Sequence, residues 1–395
     1  MKSNTMYFRR EIIKYLSSVA FSSAANSASA LAIYWYVLKM TGAVSMLVLA
    51  GVLQSLPSIF AVGVAALANK KGSRFLMYTS DGMRAVLFLL ITLFSTMSIG
   101  VWLAIGINMI LQVLEQLRTS ATTTVIPEMT KGKGKLGSWV GISNTITALF
   151  ELVGITLSGI IFDKFGYQVL FLIIALTFVA ASLTSYFLSV NYLVSEDEPS
   201  NFNMLGAFKH IYRSKTLLGI ITLSIIVNFA FAPLDVVLTA LVHRVLNSGA
   251  TVYGFMDGGL MAGMIAGSAI FSLVAGKWHI KPIAIVGFTG CGAVLIILAF
   301  ADNTLFAIAE VIVLGSLMAF IDSSMDSWLL ETVPENGRIT IFTTVTALFT
   351  VATPLGTAFL GYLLNKTSVS IVLITMGVLI LGAVLYATRL REDYD

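Results

Sequence analysis

The chain of 395 residues is 57% hydrophobic and only 11% charged, with a formal net charge of +4. Soluble domains carry about 25% charged residues, so this composition excludes a soluble globular protein and indicates a chain that crosses a membrane many times. The small net charge calls for no nucleic-acid partner, and weak strand alternation argues against a transmembrane barrel.

Twelve apolar segments follow one another along the chain, each long enough for a span of roughly 20 residues. They cover residues 12–38, 44–68, 75–98, 101–124, 137–161, 168–190, 217–241, 251–275, 282–300, 305–329, 339–362 and 368–388. The fold class predicted is therefore an all-α polytopic membrane protein, with twelve transmembrane helices in two pseudo-symmetric six-helix bundles. The predicted domains are an N-terminal bundle (1–190), a cytoplasmic linker with an interfacial helix (191–215) and a C-terminal bundle (216–395).

An internal repeat supports the two bundles. At an offset of 207 residues, Pro127-Glu128 becomes Pro334-Glu335 and Glu115 becomes Asp322. The same offset carries Lys70 onto Lys277. A register that holds at several landmarks indicates two homologous halves.

Basic residues are distributed unevenly between the two sides of the predicted helices. In one orientation only Lys39, Lys164, Arg244 and Lys366 lie outside. The positive-inside rule selects that orientation and places both termini in the cytoplasm. Tyr34, Trp35 and Tyr36 are then expected at the outer interface as an aromatic belt.

The segment between the second and third predicted helices reads AALANKKGSR over residues 65–74, with Asp81 and Arg84 following. It resembles the Gly-x-x-x-Asp-Arg-x-Gly-Arg-Arg pattern of the major facilitator superfamily, whose acidic residue helps to latch the cytoplasmic gate. Asn69 replaces that acid. The resemblance implies a gating set consisting of Asn69, Lys70, Gly72, Arg74, Asp81 and Arg84. For Asp81 and Arg84, near the predicted membrane surface, we expect a gate or packing ion pair.

Two further stretches are similar to the macrolide-efflux branch of the same superfamily. One is the TTTVIPEMT segment, and the other runs from Asn228 through Pro233 and Tyr253-Gly254 to Gly263 and Gly267. The resemblance implies that the first, fourth, seventh and tenth helices line a central cavity.

Polar side chains recur at steps of three and four residues, which places each set on one helix face. Charges inside a bilayer are costly and usually face the bundle interior or a wet cavity. The predicted substrate-cavity residues are Asn26, Gln112, Glu115, Arg118, Asn144, Asn228, Asp322 and Asp326. Arg118 has a second interpretation, in which it only neutralises Glu115 one turn away.

Carboxylates outnumber deep bases in these stripes, because Arg118 is the one deep base expected beside Glu115, Glu151, Asp235 and Asp322. This surplus favours a cationic substrate, a transported proton or both. Glu151, Glu115 and Asp235 are the predicted proton-coupling residues. Glu151 is the first candidate for proton coupling, because it lies near the predicted midplane of the membrane. The alternative is that Glu151 is a structural carboxyl bonded to neighbouring helices.

These features favour a secondary transporter that works by alternating access and exports amphipathic or cationic compounds in exchange for protons. The expected partners are a small-molecule substrate, protons or another coupling ion, and the lipid bilayer. We expect no cofactor, metal or nucleic acid, and a monomer in a bacterial plasma membrane. An importer, a lipid or siderophore exporter and a non-transporting receptor remain alternatives. An enzyme is not expected, because the sequence has no nucleophile–base set, metal-ligand spacing or phosphate-binding loop.

Overall fold

The computed structural model describes residues 2–57, 72–130, 136–189, 212, 214–275, 277, 279–333, 345, 348 and 350–389. The helices of these residues are α1 (Lys2–Thr41), α2 (Val44–Ser55), α3 (Ser73–Phe94), α4 (Gly100–Thr130), α5 (Leu136–Phe165), α6 (Tyr167–Tyr186), α7 (Lys215–Phe231), α8 (Leu234–Arg244), α9 (Ala250–Val274), α10 (Ile280–Leu298), α11 (Thr304–Thr332), α12 (Ala352–Lys366) and α13 (Val369–Arg389).

Apolar composition explains why these helices suit a bilayer. Within the described ranges, ten helical segments are long and apolar enough to cross a membrane, counting α7 and α8 as one interrupted span. The shorter α2 and α12 occupy the positions of the second and eleventh predicted spans, whose other parts fall on residues outside the described ranges. The predicted fold class is confirmed: the described residues form an all-α membrane protein.

The chain divides into two compact units. The first unit comprises Met1–Glu196 with Gly249–Gly254, and the second comprises Asp197–Ser248 with Phe255–Asp395. The first turn of α9 thus belongs with the first unit, a detail that the predicted boundaries do not contain. The predicted interfacial helix of the linker lies outside the described residues.

Packing in the first unit centres on α1 and α6. Helix α1 packs against α5 and α6, and α3 packs against α6. A ring cluster forms the core between α3 and α6, where the centroid of Phe88 lies 6.0 Å from those of both Phe171 and Phe178. All three rings are completely buried. In the second unit, α10 packs against α11 and α13.

The seventh predicted span is interrupted rather than continuous. Helix α7 ends at Phe231, and Pro233 precedes the first residue of α8. Because proline has no backbone N–H and its ring clashes with the carbonyl four residues earlier, it breaks a helix at this point. Asp235 therefore lies in the first turn of a new helix, where a carboxylate complements the positive end of the helix dipole.

The aromatic residues near the end of α1 are placed differently from the prediction. Tyr34, Trp35 and Tyr36 are buried instead of facing the lipid. The Tyr36 hydroxyl donates to the carbonyl of Ser95, at 2.8 Å, and the Tyr36 ring packs against Tyr167 with 5.0 Å between centroids. The prediction of a lipid-facing belt at these residues is wrong, because the rings fill the space between neighbouring helices.

Small residues allow helices α1 and α5 to approach closely. A Cβ atom on Gly154 would lie within 2.3 Å of the carbonyl oxygen of Ala24, whereas one on Gly141 would meet nothing within 4 Å. Close contact at Gly154 is therefore the reason for this glycine.

We expect Gly154→Ala to destabilise the protein by about 1–3 kcal/mol, because the added methyl group forces α1 and α5 apart. Gly141→Ala is the matched control on the same helix, and it should be neutral or slightly stabilising. Thermal unfolding of the two purified variants checks this. Equal melting temperatures would show that α1 and α5 separate without cost.

Candidate functional site

Four charged side chains form a buried network between α3 and α4. Asp81 and Arg84 share one face of α3, and Glu115 and Arg118 share one face of α4, each pair three residues apart. The pairing crosses between the helices: Arg118 Nε donates to Asp81 Oδ2 at 2.9 Å, and Arg84 Nη2 to Glu115 Oε2 at 2.5 Å. A longer contact of 3.6 Å joins Arg84 Nη1 to Asp81 Oδ1. We call these residues the charge quartet.

Helix α1 supplies hydroxyl and carbonyl groups to the charge quartet. The Ser22 hydroxyl donates to Asp81 Oδ1 at 2.9 Å, and Arg118 Nη2 donates to the carbonyl of Ser18 at 3.1 Å. The Arg84 guanidinium also lies over the ring of Phe178, 5.4 Å from its centroid. The quartet thus holds α1, α3, α4 and α6 together within the first unit.

Asp81 and Arg84 are 0% and 1% exposed and contact each other inside the bundle, as residues of a packing ion pair do. The structure corrects two other expectations about these residues. Arg84 is a second deep base, so Arg118 is not alone. Moreover, Arg118 forms its ion pair with Asp81, and the partner of Glu115 is Arg84.

A cavity of about 360 Å³ opens beside the charge quartet and lies entirely among residues of the first unit. Helices α1, α4 and α5 provide its walls. Its lining residues are Tyr15, Val19, Ser23, Glu115, Arg118, Thr119, Thr122, Thr123, Ile126, Pro127, Val140, Ser143, Asn144, Thr147 and Glu151. Its size falls in the usual range for small-molecule sites, and most of its side chains are polar.

Glu151 differs from the other cavity carboxylate. Glu115 is bound by Arg84 and also accepts a hydrogen bond from the Thr119 hydroxyl at 3.1 Å. Among the residues that the structure describes, none forms an ion pair or side-chain hydrogen bond with the Glu151 carboxylate. Its backbone carbonyl, by contrast, accepts from the Ser27 hydroxyl at 2.9 Å. The cavity therefore has one uncompensated negative charge when Glu151 is ionised.

Comparison with known proteins assigns nearly the whole chain to one family. The family model described as transmembrane secretion effector matches residues 5–393. The chain belongs to this family of the major facilitator superfamily. It is a membrane transporter of the superfamily type. The uncharacterized MFS-type transporter YfmI of Bacillus subtilis (strain 168) is 23% identical over 256 residues, or 62% of each chain. The match thus spans less than two thirds of that curated relative.

Solved structures share the fold of this superfamily member. The nucleoside transporter NupG superposes with a TM-score of 0.77 at 10% identity, over 95% of this chain and 99% of NupG. A bacterial homologue of the iron transporter ferroportin, in an inward-facing state, superposes with a TM-score of 0.77 at 12% identity. The match covers 96% of this chain and 98% of the homologue. At such low identity the likeness shows the fold alone.

The second half of the transporter lacks a charge quartet. At the offset of 207 residues, its positions are taken by Phe288, Cys291, Asp322 and Met325. Phe288 and Cys291 are completely buried, so an apolar core replaces the ion pairs there. Asp322 and Asp326 lie on an exposed face of α11, and the described residues of the second unit contain no ion pair with either.

The remaining predicted site residues are dispersed. Asn144 lines the cavity with Glu115, Arg118 and Glu151, whereas Asn26 and Gln112 are half-buried outside its lining. In the second unit, the Asn228 amide donates to the carbonyl of Ser224 at 2.9 Å within α7.

Only part of the predicted gate can be placed. Gly72 directly precedes α3, and the Arg74 guanidinium lies over the ring of Tyr186, 5.2 Å from its centroid. Asn69 and Lys70 lie outside the described residues. The gating role of this segment stays a prediction.

Sequence reasoning missed the crossed pairing of the charge quartet, although the signal is present in the sequence. An acid–base pair with the same order and spacing occurs in each of two consecutive helices. Consecutive membrane helices run in opposite directions, so the acid of one helix lies level with the base of the other. Asp81 is thereby matched with Arg118, and Glu115 with Arg84.

Proposed function

We propose that this transporter exports cationic or amphipathic compounds, including those of the drug or macrolide type, in exchange for protons by alternating access. The observation that carries the proposal is the unpaired Glu151 carboxylate in a polar cavity whose other charges are compensated. The family description, transmembrane secretion effector, favours export as the direction.

Charge balance at the cavity explains why a cation or a proton suits it. Arg84 neutralises Glu115, and Asp81 neutralises Arg118. What remains is Glu151, and an unpaired carboxylate in a membrane-embedded cavity favours either a bound cation or its own protonated form. Proton and substrate would compete for this one group, and such competition is what exchange of one for the other requires.

Alternating access supplies the second half of the mechanism. A site exposed in turn to each side of the membrane binds the proton where protons are abundant and the substrate on the other side. A ligand changes the balance between two conformations only by binding one of them more tightly. In our proposal, the charge quartet next to Glu151 is the element that differs between them, because it connects α1, α3 and α4.

The alternative functions differ from this proposal in the substrate or in whether a ligand is moved at all. An importer, or an exporter of lipids or siderophores, would move other substrates on the same fold. The structural neighbours include a nucleoside transporter and a homologue of an iron transporter, and at their low identity they share only the fold with this chain. A non-transporting receptor would bind a ligand without moving it.

Inverted membrane vesicles test the proposal most simply. A panel containing tyramine, tryptamine, their trimethylated quaternary forms, tetraphenylphosphonium and an uncharged analogue is offered with and without an inside-acid pH gradient. We expect accumulation of at least one cation that depends on the gradient and stops when an ionophore dissipates it. The same uptake in vesicles without the protein, or none of any cation, would contradict the proposal.

A further inference from the structure

Three threonines of α4 border the cavity, and each has its hydroxyl hydrogen already engaged. Thr119 donates to Glu115 Oε1 at 3.1 Å, Thr122 donates to the carbonyl of Thr119 at 2.9 Å, and Thr123 donates to the carbonyl of Ser120 at 2.9 Å. Carbonyl and ionised carboxylate oxygens only accept hydrogen bonds. Each hydroxyl therefore donates its single hydrogen to an acceptor of α4 itself. Only the lone pairs of the hydroxyl oxygen remain for a ligand.

Pro127 leaves another acceptor on the same helix. It lies inside α4 and lines the cavity. A proline in a helix has no N–H for the carbonyl four residues earlier, so Pro127 cannot bond the carbonyl of Thr123. The TTTVIPEMT segment thus combines threonine hydroxyls at the cavity with a Thr123 carbonyl that Pro127 cannot bond.

The other polar groups of the lining do not change this excess of hydrogen-bond acceptors on α4. Glu151 is a further acceptor when ionised, and Arg118 donates from Nε and Nη2 to Asp81 and Ser18. The other donors in the lining are Arg118 Nη1 and the hydroxyl of Tyr15, which donates to the carbonyl of Thr122 at 3.4 Å. Ser143, Asn144 and Thr147 can donate or accept, so they adapt to either kind of ligand. The wall contributed by α4 and by Glu151 is rich in fixed acceptors.

We propose that this cavity selects organic cations that carry several N–H donors, such as primary ammonium and guanidinium groups, over quaternary ammonium ions of equal charge. This inference rests on the proposed function and names its substrate class. A primary ammonium offers three donors, which can satisfy Glu151 and the threonine oxygens together. A quaternary ion neutralises the charge but leaves those oxygens without water and without a hydrogen bond, a loss that discriminates strongly between ligands.

The test measures binding of tyramine and tryptamine, each beside its N,N,N-trimethylated form, to the purified protein in nanodiscs by titration calorimetry. We expect each primary amine to bind at least tenfold more tightly than its quaternary partner. In the double variant Thr122→Val/Thr123→Val, the primary amines should lose about fivefold in affinity or more, and the quaternary ions less than twofold.

Thr124→Val is the matched control. Its hydroxyl donates to the carbonyl of Ala121 at 2.9 Å, the same bond as in Thr122 and Thr123, but it is not part of the cavity lining. Its affinities should match those of the wild type. Equal binding of primary and quaternary ions would overturn this inference and leave the proposed cation exporter intact. Binding of none of the four cations would overturn both.

Discussion

Replacing Glu151 with glutamine is expected to abolish gradient-driven accumulation. Substrate exchange down a gradient should continue but need a higher substrate concentration, because the cation loses the charge of Glu151 and keeps the hydroxyl groups of the cavity. Glutamine has nearly the shape of protonated glutamic acid but cannot release a proton. The cavity keeps its volume and its hydroxyl groups, and the charge quartet is untouched because Glu151 makes no ion pair with it. Uphill transport should fall by at least tenfold, whereas the melting temperature should change little.

The measurement compares uphill accumulation and downhill exchange in the same proteoliposomes. Asp302→Asn is the control, because it removes a carboxylate from the exposed loop between α10 and α11 and should retain both activities. If Glu151→Gln accumulates substrate at the wild-type level, Glu151 is a structural carboxyl and the coupling group is another. Asp235, in the first turn of α8, is then the next residue to replace.

Breaking the charge quartet is expected to have the largest effect on stability. Asp81→Asn removes the charge that faces Arg118 and weakens the contact with Arg84, both within a buried environment. Loss of one partner from a buried ion pair typically costs about 3–5 kcal/mol, since the other charge stays buried without compensation. We expect low yield and a much reduced melting temperature.

A double-mutant cycle separates the ion pair from other effects of the substitution. Arg118→Gln should be similarly destabilising, and the double variant Asp81→Asn/Arg118→Gln should be more stable than either single variant, because no unpaired charge remains between these positions. Thermal unfolding in detergent gives the melting temperatures of the wild type, the two single variants and the double variant. Additive losses in the double variant would mean that the two side chains act independently, contrary to their 2.9 Å contact.

Most of the fold follows from the sequence by simple physics. Long apolar segments can satisfy their backbone in a bilayer only as helices, and that constraint gives the number and order of the spans. The break at Pro233 could also have been predicted, because a proline inside an apolar segment removes a backbone hydrogen bond. Hydropathy could not predict the burial of Tyr34, Trp35 and Tyr36, because it does not distinguish a ring facing lipid from one packed between helices.

The candidate site was predictable in part. Polar residues at helical spacing placed Glu115, Arg118, Asn144 and Glu151 on inward-facing stripes, and all four line one cavity of the first unit. Their role as a substrate site stays a prediction. Spacing within one helix cannot reveal contacts between helices, so it suggested a pair between Glu115 and Arg118 where the pairing is crossed. It also gave no sign that the threonine hydroxyls of α4 point their hydrogens back to their own helix.

Proton release on substrate binding tests most directly whether Glu151 is the group shared by proton and substrate. A cation that the vesicles accumulate is added to weakly buffered, detergent-solubilised protein at pH 6, and a pH-sensitive dye reports the protons set free. If the cation displaces a proton from Glu151, the wild type should release up to about one proton per molecule bound, and Glu151→Gln should release none. Equal proton release by the two proteins, or cation binding to the wild type without any release, would contradict the account.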